Sequence, residues 1–491
     1  MAQDSACMAQ DGACMAQDGA CRAQDGACMA QDGADLRAVW DAAQRGDAAC
    51  VLAACRDATE SVMRVCALAV RVAVRNDHAA AVRALVSVCP SLPHHVNAFR
   101  LTALHEAARA NSARAAAALL GAKAQVHVTD SLGVSPARLA VHRGHADVLR
   151  VLLQGKAAIN MPPLHARAPA LDDLGVDYPP LLQPLVSVAA RENHCDVLRV
   201  LLDAKAEMPT ARENPVRLAA AGGHSQALAL LLMHAKASTD AQGEDSTPLH
   251  EACRHGHVAT VQQLLDGRAD VDAATCISGA TPLTVAAEFQ FDNVARILLR
   301  ANANVHLAKL NGATALVCAA CKGHVRTMRV LLRARAQVDY TEMPCGSTPL
   351  CVAAHYGHVS AVQLLTAAGA DTERRNTGVW TPLMAAASHN HTGAVRALVH
   401  AKADVTACLP LIGWTVLHVA AAFDFGQVAR LLLASHTGRE AVTSKTATET
   451  TWRGVYVPAA STPADVARLH RSTHVARLLE APYPVSTSRE I

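Results

Sequence analysis

Aromatic residues are scarce in this chain. Phe, Trp and Tyr make up 3% of its 491 residues, so its cores have to be built from Ala, Leu and Val rather than from rings. An excess of one charge is missing as well. Lys and Arg exceed Asp and Glu by only three, a net charge of +3, which argues against nucleic acid as a partner. No apolar run approaches the roughly 18 residues that cross a bilayer, and no membrane span is expected. The opening Met1-Ala2-Gln3-Asp4 lacks a basic-then-apolar pattern, so no secretory signal is expected either. There is no phosphate-binding loop, no Gly-x-Ser-x-Gly elbow and no paired-carboxylate constellation. The chain is therefore read as a non-enzyme with no catalytic residue and no cofactor.

What it does contain is one phrase repeated. Thr247-Pro248-Leu249-His250-Glu251-Ala252-Cys253-Arg254-His255-Gly256-His257, followed by Val261, Leu264 and Leu265, returns about every 33 residues. Thr-Pro-Leu recurs at Thr281, Thr348 and Thr381, and Thr-Ala-Leu at Thr102 and Thr314. Thr415-Val416-Leu417-His418 is a further copy, and looser ones start at Ser135, Pro184, Asn214 and Thr462. Thr is a good helix N-cap, and Pro at the first helical position has its φ preset and no N–H to leave unpaired. Leu and paired Ala make a short helix that can pack closely. Gly-His closes it, the glycine tolerating a left-handed turn. A second helix with a Leu-Leu pair follows, then a polar turn. One such unit cannot bury its apolar face; a stack can.

These residues resemble ankyrin repeats, densely from Thr102 to Leu433 and more loosely from Leu36 to Leu479, about 13 units in all. The resemblance implies an all-α solenoid of stacked helix-turn-helix units with short β-hairpin-like turns between repeats. It also implies protein binding on a concave inner surface. Fold alone does not choose the partner.

Residues 1–35 are five near-identical heptads and are read as a disordered low-complexity arm, since a Gly in most heptads weakens any helix. Pairing between molecules through Cys7, Cys14, Cys21 and Cys28 is the functional alternative. Residues 36–101 read as degraded N-terminal capping repeats and 102–434 as the array. The spacing slips from 33 to 49 residues between Ser135 and Pro184; the excess, near 160–183, is Pro-rich and reads as an inserted loop. Residues 435–461 read as a Ser/Thr-rich inserted loop carrying Trp452 and Tyr456, 462–480 as a C-terminal capping repeat, and 481–491 as a tail.

Twenty-five histidines invite a metal reading. Eight of them, His78, His145, His194, His224, His257, His324, His358 and His391, occupy the closing-turn slot. His105, His250 and His418 take the fourth place of the Thr-Pro-Leu-His phrase. By resemblance both slots are structural, and no metal site is assigned. His105-Glu106 and His250-Glu251 have Arg109 and Arg254 where a zinc-protease helix needs its second histidine. Cys318-x-x-Cys321 lacks a second pair. The sixteen cysteines are otherwise scattered and read as free thiols of an intracellular protein. A cytoplasmic location follows, with the nucleus as the alternative.

Two ladders remain. Lys123, Lys156, Lys205, Lys236, Arg268, Arg335 and Lys402 stand where the family usually places Gly after the second helix. Helix capping explains them, and binding to an acidic partner, an ion or a lipid surface is the alternative. The second ladder is aromatic. Phe289, Tyr356 and Phe423 share one place at the end of the first helix, as do His255 and His389, while Trp380 and Trp414 immediately precede the Thr of their repeats. Large rings are favoured interface anchors. With Tyr340 at a turn tip, these eight residues are the candidate partner-binding set. The expected function is a monomeric, non-catalytic scaffold that binds a protein through repeats between Thr247 and Leu433. The alternative is a substrate-recruiting adaptor of a ubiquitin ligase or kinase complex.

Overall fold

The computed structural model describes residues 34–55, 62–97, 99–160, 183–209, 213–234, 246–341, 344–435 and 439–480. Most of the heptad arm, the Pro-rich insertion from 161 to 182, Lys236 and the tail lie outside them. The chain divides into two compact units, residues 1–244 and 245–491. Both are stacks of antiparallel helix pairs, six described in the first unit and seven in the second. Within each unit, first helices pack on neighbouring first helices and second helices on second helices.

The repeated phrase folds for local reasons. Thr247 caps helix Pro248–His255 from an extended backbone, and its side chain and the His250 ring cap each other's backbone reciprocally. His250 Nδ1 accepts the Thr247 backbone N–H at 3.3 Å. Its Nε2 meets the Ala280 carbonyl at 2.8 Å. A carbonyl can only accept, so the proton sits on Nε2. His105 reaches the Val134 carbonyl at 3.0 Å and His418 the Ser461 carbonyl at 3.3 Å. Each of these rings therefore ties its own helix start to the turn entering the next repeat.

The closing-turn histidines work in the opposite direction. His324 and His358 donate to the Glu288 and Cys321 carbonyls of the preceding repeat at 3.0 and 2.9 Å. His194 and His224 do the same to His142 and Arg191 at 3.1 and 2.8 Å. The glycine beside them is demanded twice at Gly357: its φ is +74°, and a Cβ there would fall 2.5 Å from the His391 ring.

First helices are covered on nearly all sides. Every residue of Pro282–Glu288 from Pro282 to Ala287 is buried, and only small side chains allow such close stacking. The second helix, Asp292–Arg300, buries one stripe of Val294, Ala295 and Leu298. Fully buried leucines such as Leu264, Leu298 and Leu331 each stabilise the stack by about 1.5–3 kcal/mol.

The basic ladder keeps the left-handed backbone that glycine would favour. Lys123, Lys156, Lys205, Arg268, Arg335 and Lys402 have φ between 56° and 65°. Neighbouring turns are joined by backbone bonds such as Leu310 N–H to the Ser278 carbonyl and Thr377 N–H to the Cys345 carbonyl, both 2.9 Å. Acidic side chains add to this edge: the Asp272 and Asp339 carboxylates accept the Asn304 and Asp371 backbone N–H groups at 2.9 and 3.1 Å.

The segment 435–461 differs from a plain loop. Thr450–Trp452 pairs antiparallel with Val455–Val457. Arg453 and Gly454 between them have φ of 50° and 79°, the doubly positive turn that matches strand twist.

Candidate functional site

One side chain per repeat is presented at the end of each first helix of the second unit. Phe289, Tyr356, His389 and Phe423 are the C-cap residues of their helices. His255 and Lys322 close the equivalent helices Pro248–His255 and Ala315–Lys322. Phe289 is 46% exposed and Tyr356 52% exposed, unusual for side chains of their size in a chain with so few rings.

Beside them lies a cavity of about 1040 Å³ that runs from Glu288 to Phe423 across five consecutive repeats. Val317, Cys318, Cys321 and Val352 give it an apolar lining, Tyr356, Trp380 and Phe423 contribute rings, and Lys322, His355 and His389 are polar members. Most of this lining is uncharged at neutral pH. Burial pushes the Cys318 and Cys351 thiols up to about 11, so they stay protonated. Burial, then the neighbouring His389 and His391, hold His355 below its ordinary range. Its ring lies 4.1 Å from that of His389. The neighbouring Cys321 raises the Tyr356 hydroxyl, first through the charge its sulfur carries when ionised and then through a hydrogen bond. Glu288 is taken by Lys309, whose Nζ sits 2.5 Å from the carboxylate. Such a lining presents mainly apolar area.

The predicted residues fall into three groups. Phe289, Tyr356, His255 and His389 are open to solvent. Trp380 and Phe423 are half-buried, and Tyr340 is half-buried in the turn after helix Val325–Arg333. Trp414 has no exposure and cannot itself touch a partner, which corrects its place among the anchors. Both His418 and the hairpin lie against it. The Trp452 ring lies tilted against Trp414 at 5.2 Å and against Trp380 at 6.2 Å, and the Arg453 guanidinium lies 4.9 Å over the Phe423 ring. From the sequence Trp452 was noted only as part of the inserted loop and Arg453 not at all, and neither was placed at the site. The available signal was Arg453-Gly454 between two β-prone triplets.

The first unit carries a different cluster. Glu106, 1% exposed, receives Arg71 and Arg109 at 3.0 Å and Arg75 at 3.3 Å. Burial alone would raise the Glu106 carboxyl, but Arg109, Arg75 and Arg71 together hold it below its usual range. Among the described residues, no group of three or more His, Cys, Asp or Glu side chains is placed to hold a metal ion. No helix among them is long and apolar enough to cross a membrane.

A family model of ankyrin repeats in three-copy blocks matches residues 70–162, 185–275, 216–309, 262–342, 283–376 and 350–445. These blocks overlap and together take in well over half of the chain. The chain belongs to the ankyrin-repeat family. Ankyrin repeats form a protein–protein interaction module that is typically non-catalytic, and a protein partner is implied. The chain is 37% identical over 82 residues to human SH3 and multiple ankyrin repeat domains protein 2, a stretch covering 16% of this ankyrin chain and 4% of that protein. The chain thus spans only a small fraction of the length of this curated relative. A solved structure, the human ASB11 ankyrin repeat domain, is 30% identical, covering 42% of this chain and 90% of that one, with a TM-score of 0.39.

Proposed function

We propose that this protein is a non-catalytic scaffold that binds a protein partner on the inner, first-helix face of its second unit. The observation that carries the reading is the pair Phe289 and Tyr356, 46% and 52% exposed at the same repeat position, beside the apolar cavity. Exposed rings on a preformed surface supply contact area at little ordering cost. Trp380 and Phe423 form the C-terminal end of this face together with the hairpin; His255, His389 and Tyr340 border it.

Affinity capture from the source cell's lysate tests the reading. The intact chain is compared with a Phe289→Ala/Tyr356→Ala variant whose helix content by circular dichroism is unchanged. A partner retained by the intact chain and lost by the variant supports this face as the site. A partner retained by both removes it. The recruiting-adaptor alternative is distinguished in the same experiment. There, a ligase or kinase subunit stays bound to the variant while a substrate is lost.

A further inference from the structure

We propose that the occupant of this face is an extended acidic peptide segment with a carboxylate set midway between two apolar side chains, the carboxylate on Lys322 and the apolar groups on Phe289 and Tyr356. This rests on the reading above and gives it a chemistry.

Phe289, Lys322 and Tyr356 end the first helices of three consecutive repeats, and those helices pack as direct neighbours. A lysine therefore stands between two exposed rings. Packed helices lie about 8–10 Å apart, and a peptide in the extended polyproline-II conformation advances about 3.1 Å per residue with three residues per turn, so side chains three apart point to the same side. Each step along the face therefore matches about three residues of peptide. An apolar residue, an acid about three residues on and a second apolar residue about three further meet the three positions in order.

The sign of the charge follows from what is already paired. Lys322 is exposed and makes no ion pair among the described residues. The carboxylate lining the same cavity, Glu288, is engaged by Lys309. At the far end of the cavity, Arg453 lies over Phe423 and adds a second cation. The described lining thus has positive charge left over on an otherwise neutral, apolar surface, and it complements a segment with apolar side chains and few carboxylates. Nucleic acid fits less well, because it needs a row of cations to replace many counterions.

The test is selection of random displayed peptides of about twelve residues, enough to span the three positions, on the full chain and on its Lys322→Glu variant. The expected result is enrichment of Asp or Glu flanked at about three residues on each side by apolar residues on the native chain. A labelled synthetic peptide of that pattern should lose about tenfold or more in affinity on Lys322→Glu. Its Asp→Lys counterpart should gain on the same variant, a reciprocal effect that a merely unfolded variant does not produce. Enrichment of basic or charge-free peptides, no enrichment, or a selection unchanged by Lys322→Glu overturns the proposal. So does tight binding of a labelled oligothymidylate that Lys322→Glu abolishes. If lysate capture still depends on Phe289 and Tyr356 while the carboxylate signature is absent, the face stands and only this chemistry falls.

Discussion

The Trp452 indole lies 5.2 Å from that of Trp414, ring tilted against ring, and with this contact an inserted hairpin covers a side chain of the repeat array. Trp414 and Trp380 hold the same repeat position, yet one is fully buried and the other is not. The Trp452 ring lies nearer to the buried Trp414 than to Trp380, at 5.2 against 6.2 Å.

Replacing Trp452 with Ala should therefore open Trp414 to water. A half-buried tryptophan gives up part of the roughly 3–5 kcal/mol of a fully buried one, so the second unit should lose about 2 kcal/mol. Tryptophan emission should shift to longer wavelength and the urea midpoint should fall. An unchanged emission maximum and midpoint would mean that the two rings are not in contact in solution.

Glu106 is a second place where one side chain holds several others. It is 1% exposed with three guanidinium groups around it, so Glu106→Gln leaves buried cations without their shared carboxylate. The expected cost is about 3–5 kcal/mol to the first unit at neutral pH. The folded carboxyl titrates below its ordinary 4.5, so its stabilisation is complete above that value. It is lost as pH falls through the lower folded value. Urea unfolding of both proteins at neutral and acid pH checks this: their stabilities should converge in acid, and a constant gap would contradict it.

These relationships also mark how far the sequence could be read. The Thr247 cap, the His250 ring and the glycine turns act within a few residues or at one fixed repeat offset. The resemblance therefore carried the helix pairs from Thr102 to Leu433. The shared position of Phe289 and Tyr356 was legible for the same reason. The Trp452 and Arg453 contacts were not, because the hairpin lies outside the period and reaches back to Trp414 and Phe423. The Glu106 cluster joins Arg71 to a carboxylate 35 residues away, and a single sequence does not show which charges at one repeat's distance will meet. Lys309 and Glu288 are harder still, being 21 residues apart with no periodic relation.

The buried His418 makes the second unit sensitive to mild acid. Burial lowers its pKa from 6.5 to about 4, against the opposing pull of its bond to the Ser461 carbonyl. The unfolded chain then takes up this proton before the folded one does. Stability is fully present above about 6.5 and falls by about 1.4 kcal/mol per pH unit towards 4. His105 in the first unit, also lowered by burial, adds a loss of the same sign there. Gln at this position keeps a capping-box side chain without the titration, so His418→Gln should flatten the pH profile of the second unit. Unfolding free energies across that range decide it; equal slopes in the two proteins would assign the acid sensitivity elsewhere.

The slot after the second helix allows the cost of a left-handed backbone to be separated from the cost of a clash. At Gly369, φ is +87° and nothing lies within 4 Å of where a Cβ would stand. Gly369→Ala should then cost only the conformational penalty, about 1 kcal/mol. Arg335 has φ of 64° at the equivalent place in the preceding repeat and already bears that penalty. Arg335→Gly should recover it, less the roughly 0.3–1 kcal/mol that a cation contributes at a helix C-terminus. The net change is a gain of up to about 0.7 kcal/mol by the same two principles. Gly357 has a similar φ of +74° but faces the His391 ring at 2.5 Å. Gly357→Ala adds displacement of that ring, typically about 1–3 kcal/mol of overpacking, to the same penalty. The order of urea midpoints should be Arg335→Gly at or above the native chain, then Gly369→Ala, then Gly357→Ala. If Gly369→Ala were as damaging as Gly357→Ala, packing at His391 would not be what fixes glycine beside Tyr356. If Arg335→Gly were destabilising, the basic ladder would be contributing more as a set of helix caps than the dipole can supply.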